Sequence, residues 1–223
     1  MASSPSYDRC AGALLGLAAG DALGAGYEFG SPPSGEASMR GGGLGGWEPG
    51  EWTDDTQMAI CIAEEAATGT VDPLRVAGRF LDWYRSGPVD VGVQTSSVLS
   101  HSANADGLAA SAVSYFGSHP DRSAGNGSLM RTAPLALASL GDDKQLVELA
   151  MSVSPLTHAD PITGEACALW CIAIDRAIRE GRLDGARDGI AMRSFLRRVE
   201  EGALPVAALG DAIRSGRASC DAR

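Results

Sequence analysis

The sequence predicts an all-α protein, a compact orthogonal array of helices in one domain. Three observations predict it. Apolar residues recur at three- and four-residue spacing through most of the chain. No stretch shows sustained period-two alternation, β-branched runs or hairpin dipeptides. The length of 223 residues suits one domain with a sizeable core, and a hydrophobic content of 44% is that of a globular chain.

Residues 8–27 read as the first helix, with Ala11, Leu14, Leu15 and Ala18 as its apolar stripe. Gly12, Gly16, Gly20 and Gly24 line one side of it. Each glycine costs roughly 1 kcal/mol of helix propensity against alanine. Such a row suits close approach by another helix or by a ligand, and helix packing is the favoured reading. Residues 30–50 form a long glycine-rich loop, of the kind that is more often functional than idle. A helix then runs to about Ala67, with Met58, Ile62 and Ala66 inward, and Gly69 ends it. Pro73 to Arg85 is the next, closed by Ser86-Gly87-Pro88. Weaker candidates cover 91–100 and 107–116, and 129–140 is again apolar. Residues 144–153 are helical, Pro155 breaks the run, and a long helix spans about 163–180. Ala166, Leu169, Trp170, Ala173, Ile174 and Ala177 make it apolar nearly all round, which predicts a central position. The ordered core is expected over about 8–180. The arginine- and glycine-rich tail, 182–223, is expected to be weakly ordered, with 193–201 as a possible solvated helix.

The net charge of −10 argues against a nucleic-acid surface, which needs clustered Lys and Arg. Five cysteines in mostly apolar helical settings suggest free buried thiols rather than a zinc site. Met1 to Arg9 lacks the charged-then-apolar pattern of a leader, and the apolar run 10–20 is too short to span a bilayer. A soluble cytoplasmic protein is expected.

Four polar groupings interrupt the apolar array. Thr53-Asp54-Asp55-Thr56 sets two adjacent carboxylates between threonine hydroxyls where the glycine loop meets a helix. Their repulsion must be relieved by something positive. A helix N-terminus offers partial charge, and a hard divalent cation such as Mg2+, Mn2+ or Ca2+ offers more. Asp21 and Glu28 flank the end of the first helix, where Glu28 opposes the dipole. Asp90 is a capping residue or a site residue. Ser123 to Ser128 is a polar glycine turn opening an apolar segment, able to cradle a phosphate or simply to turn the chain. His158, one of three histidines, is either a satisfied structural group or a contact to a base or sugar.

The order of these groupings carries more than any one of them. Gly20-Asp21-Ala22-Leu23-Gly24 with Tyr27-Glu28-Phe29, then Trp52-Thr53-Asp54-Asp55-Thr56-Gln57, Asp90-Val91-Gly92, Gly125-Asn126-Gly127-Ser128-Leu129-Met130-Arg131 and Leu156-Thr157-His158 resemble the ADP-ribosylglycohydrolase family. The resemblance spans roughly Cys10 to Ile178. It implies an all-α fold with a two-metal Mg2+ or Mn2+ centre at the base of an ADP-ribose cleft. It implies that Thr53, Asp54 and Asp55 are metal ligands and that Glu28 and Asp90 are catalytic carboxylates. Ser123, Gly125, Asn126, Gly127 and Ser128 would hold the diphosphate and distal ribose, and His158 would line the adenosine side. The implied reaction removes ADP-ribose from protein side chains or small conjugates by cleaving the glycosidic bond at ribose C1. The alternative is a non-catalytic ADP-ribose-binding or scaffold protein.

The family's second acidic motif, Asp-x-Asp-Thr, has no counterpart. Thr163 is the last threonine, and no late aspartate has that spacing. A chain lacking the family's C-terminal third, with half of the ligand set, is expected. Its long helix should then expose an apolar patch open to self-association.

Overall fold

A computed structural model describes residues 5–31 and 33–181. The expected tail, 182–223, lies outside the described residues. Within them the chain forms eight α-helices: α1 (Pro5–Ala25), α2 (Asp54–Ala66), α3 (Pro73–Arg85), α4 (Val93–Ser100), α5 (Ala105–Ser118), α6 (Ala133–Ala138), α7 (Asp143–Val153) and α8 (Pro161–Glu180). Short 3-10 turns lie at Pro120–Arg122, Asn126–Ser128 and Ser154–Leu156. The described residues contain no β-sheet, only one bridge between Gly42 and Trp47. The all-α expectation holds.

Most of these helices start where their sequence says they should. Asp72 accepts from the Leu74 amide at 2.9 Å, Asn104 from Gly107 at 3.1 Å, Asp142 from Gln145 at 3.0 Å and Asp160 from Ile162 at 3.1 Å. Each satisfies an otherwise orphaned amide of a first turn. Pro73 and Pro161 open α3 and α8, where a missing N–H costs nothing. Gly181, left-handed at φ 65°, ends α8.

The core joins α2, α3, α5, α6, α7 and α8 around Met58, Ile62, Phe80, Leu108, Leu135 and Leu146, all 0% exposed. Side chains of this size contribute about 1.5–3 kcal/mol each when fully buried. Helix α8 packs on α7, α6 and α1, while α2 lies against α3 and α6. Cys61, Cys167 and Cys171 are buried free thiols within this core.

Two expectations about α1 and α8 fail. A Cβ built on Gly12, Gly16, Gly20 or Gly24 meets nothing within 4 Å among the described residues, so the glycine row packs against no described helix. Leu15, placed in the apolar stripe, is 70% exposed. Helix α8 buries one face only, and Trp170 on the other is 49% exposed. Part of the reason is common to both. An apolar groove of 880 Å3 runs between the two helices, with Gly12 and Gly16 on one wall and Trp170 and Ile174 on the other.

Candidate active site

Helix α2 is the one whose cap comes from elsewhere in the chain. Thr53 stands at its N-cap but makes no side-chain bond to its own helix. Instead, Asp21 of α1 reaches across. Its carboxylate accepts from the Thr53 amide at 2.9 Å and hydroxyl at 2.7 Å, and from the Thr56 amide at 3.1 Å and hydroxyl at 2.6 Å. A carboxylate taking four donors at a helix N-terminus is held by charge-assisted bonds and by the dipole together. The two threonines that flank the acidic pair are therefore oriented by one residue 32 positions upstream of Thr53.

With α2 fixed in this way, Asp54 and Asp55 occupy its first turn, Asp54 buried and Asp55 half-buried. Asp54 accepts from the Gly92 amide at 3.4 Å, at the start of α4. Asp90 caps no helix, since Gly92 is the N-cap of α4. Glu28 lies in the exposed turn three residues past the end of α1, not at its C-terminus.

These carboxylates feel one another. Burial pushes the Asp55 carboxyl up to about 7, and Asp21, Asp54 and Glu28 add to the shift. Burial also raises Asp54; the Gly92 amide opposes it, and Asp90 and Asp21 reinforce it. Glu28 is raised by desolvation and then by Asp90, Asp54 and Asp21. Glu28, Asp54, Asp55 and Asp90 thus come from separate stretches of sequence into one electrostatically coupled cluster. No Lys or Arg is among the causes of these three shifts, although Asp54 in turn raises the buried Arg131. The donor set is hard oxygen with unrelieved negative charge, which fits a hard divalent cation. Among the described residues, however, no group of three or more His, Cys, Asp or Glu side chains is arranged to hold a metal ion.

The glycine turn lies on the other side of the site. Gly125 and Asn126 are exposed, whereas Ser123 and Ser128 are 0% exposed and bonded inward. The Ser123 hydroxyl donates to the His119 carbonyl at 2.6 Å, and Ser128 accepts from the Cys167 thiol at 3.5 Å. His158 sits against this turn, 2% exposed. A Cβ on Gly127 would fall 2.7 Å from its Cε1, so only glycine lets the ring approach. Burial and the nearby Arg131 lower the imidazole to about 3, which keeps it neutral at physiological pH. The two sides of the site meet in the groove, because Asp55 and Asn126 both line it.

A family model described as ADP-ribosylglycohydrolase matches residues 2–221. The chain belongs to the ADP-ribosylglycohydrolase family. It is 36% identical over 170 residues to the ADP-ribosyl-(dinitrogen reductase) glycohydrolase of Rhodospirillum rubrum, covering 72% of this chain and 55% of that one. It is 40% identical over 136 residues to the ADP-ribosylarginine hydrolase Tri1 of Pseudomonas putida (strain GB-1), covering 59% of this chain and 36% of the relative. A solved structure, titled an ADP-ribosylglycohydrolase-related protein complex, superposes with a TM-score of 0.62 at 34% identity. That match covers 88% of this chain and 67% of the other. The chain spans about half the length, or less, of the curated relatives it matches.

For a member of the ADP-ribosylglycohydrolase family, two site residues escaped the sequence reading of roles. Asp21 was visible beside Glu28, but nothing in the order of residues shows that it reaches Thr53 and Thr56. Arg131 was visible as the last residue of the glycine motif, but its complete burial beneath that motif was not.

Proposed function

We propose that the chain is a metal-dependent hydrolase that removes ADP-ribose from ADP-ribosylated protein side chains or small conjugates, by cleaving the glycosidic bond at ribose C1. The observation that carries this reading is the coupled cluster of Glu28, Asp54, Asp55 and Asp90, whose Asp55 lines a groove that Asn126 also lines. The names of the two relatives, a glycohydrolase and an ADP-ribosylarginine hydrolase, support the substrate class.

Cleavage at an anomeric carbon passes through an oxocarbenium-like state and needs a proton for the leaving group and an activated water. Glu28, whose carboxyl is raised by desolvation and by the neighbouring Asp90, Asp54 and Asp21, would supply the proton for the leaving group. Asp90 would orient the attacking water and accept its proton. Thr53, Asp54 and Asp55 would hold Mg2+ or Mn2+, with Asp21 fixing the Thr53 hydroxyl. When bound, a hard cation supplies the positive charge that relieves the carboxylate repulsion and polarises the ribose diol. The exposed amides of the 125–127 turn would hold the diphosphate.

The test is release of ADP-ribose from ADP-ribosyl-arginine or ADP-ribosyl-serine with Mg2+ or Mn2+ present. Turnover no greater than that of a Thr53→Ala, Asp54→Ala, Asp55→Ala triple variant would refute the enzyme. A second reading, a non-catalytic ADP-ribose-binding protein, is favoured by the lack of a three-ligand metal cluster among the described residues. Calorimetry separates the two, since ADP-ribose binding that needs no cation and yields no turnover belongs to the second.

A further inference from the structure

Among the described residues Arg131 is the largest side chain that is completely buried, and no carboxylate forms an ion pair with it. Its guanidinium lies over the Phe80 ring, 4.3 Å from the centroid. Nη1 points at the Met58 sulfur at 3.6 Å, and Nε has no partner. Its one strong bond runs from Nη2 to the Thr157 hydroxyl at 2.7 Å. That hydroxyl in turn lies 2.9 Å from Nδ1 of His158.

The direction of the first of these bonds is fixed by chemistry. A guanidinium has five donors and no acceptor, so Thr157 Oγ1 must accept from Arg131. Its single hydrogen is then free for His158 Nδ1, its other hydrogen-bonding neighbour. With that hydrogen given to Nδ1, the proton of the neutral imidazole stands on Nε2, because a ring nitrogen that accepts cannot carry it. Nε2 has no hydrogen-bond partner among the described residues. It faces Gly125 and Gly127, where built Cβ atoms would stand 3.4 and 3.1 Å away. Gln94 steadies the same corner by donating to the Thr157 carbonyl at 3.2 Å.

We propose that Arg131 and Thr157 are positioning residues that lock His158 in its Nε2–H tautomer and aim that N–H between Gly125 and Gly127. There it meets an oxygen of the ligand seated on the turn. The ligand part rests on the ADP-ribose reading above; the tautomer lock does not. A neutral donor of this kind keeps its direction across the physiological pH range, and the buried positive charge behind it polarises the N–H.

The experiment uses the full chain labelled with 15N. With only three histidines, a His158→Gln variant assigns the ring signals of His158. The wild type should show Nε2 protonated and Nδ1 accepting, unchanged between about pH 8 and about pH 5.5. Thr157→Ser should keep that signature. Thr157→Val removes the hydroxyl and should shift the ring toward a mixture of tautomers; Thr157→Ala gives the same reading if the valine variant does not fold. Calorimetry with ADP-ribose should then show affinity about tenfold weaker in the variant lacking the hydroxyl and within about twofold of wild type for Thr157→Ser. A wild-type ring protonated at Nδ1, or a signature indifferent to loss of the hydroxyl, overturns the lock. An intact lock with equal ADP-ribose affinity in all folded variants overturns its role in binding. No ADP-ribose binding by the wild type at all overturns the functional reading instead.

Discussion

The two charged regions of this molecule, barely a helix apart, are built on opposite principles. Around Asp54 and Asp55 negative groups gather with no ion-paired cation among the described residues, partly open to solvent, and their carboxyls are pushed upward. Around Arg131, Thr157 and His158 the polar groups are wholly enclosed, and burial drives the basic groups downward, Arg131 to about 10 and His158 to about 3. The first region is unfinished electrostatically and suits a ligand. The second is nearly complete within the protein and suits a scaffold. A site needs both: charge open to a ligand where the chemistry happens, and charge shut away from solvent where the geometry is held.

The sharpest way to break this contrast is to attack the enclosed side. Arg131→Ala removes a buried guanidinium beside Phe80 and Met58 and leaves a cavity, and should cost about 3–5 kcal/mol in urea denaturation. Asp21→Ala should cost less, about 2–3 kcal/mol, because α2 loses an acceptor of four bonds but its amides regain water. In addition, it should weaken any Mg2+ or Mn2+ response of the melting temperature, which Arg131→Ala in a still-folded background should not.

The pH responses of the two regions have opposite signs. The His158 pKa of about 3 lies below the 6.5 of a free imidazole. Its contribution is therefore present above 6.5 and lost as pH falls toward 3. At about pH 5 the loss should be about 2 kcal/mol, and His158→Gln should abolish it. Asp55 runs the other way. Its pKa of about 7 exceeds the 3.8 of a free carboxyl, so its contribution is present below 3.8 and lost as pH rises through 7. Discounted for solvent screening, that amounts to about 1–2 kcal/mol. Asp55→Asn should flatten this limb when melting is followed without added divalent cation. Smallest of all, Gly16→Ala places a methyl where nothing stands within 4 Å. It should stabilise α1 by roughly 0.5–1 kcal/mol, read as a rise in melting temperature.

The sequence disclosed this molecule unevenly, and the reasons are physical. Helix α3 was legible from end to end because Asp72-Pro73 opens it and Ser86-Gly87-Pro88 closes it, both local signals. The acidic pair was legible as a pair because adjacent carboxylates are conspicuous in any context. Asp21 was not legible as the cap of α2, since Asp21 and Thr53 meet only after a long loop has closed. The burial of Arg131 was not legible either, because arginine is rarely fully buried and nothing local to the glycine motif marks it as an exception. The glycine row of α1 misled through its periodicity, which specifies a face but not what lies opposite it.

The tie between Asp21 and Thr53 also bears on how this fold can vary. It pins both ends of the chain segment that joins α1 to α2. The near part of that segment is fastened as well, by Arg40 bonding the Gly26 carbonyl at 2.6 Å and lying 4.1 Å over the Tyr27 ring. The exposed residues 33–37 hang between these fastenings. In a loop whose feet are fixed, doubling the free length costs only about 0.6 kcal/mol of closure entropy. Segments could therefore be lengthened, shortened or exchanged there with little change in the tie between Asp21 and Thr53, which makes this arc the natural place for the chain to vary in length.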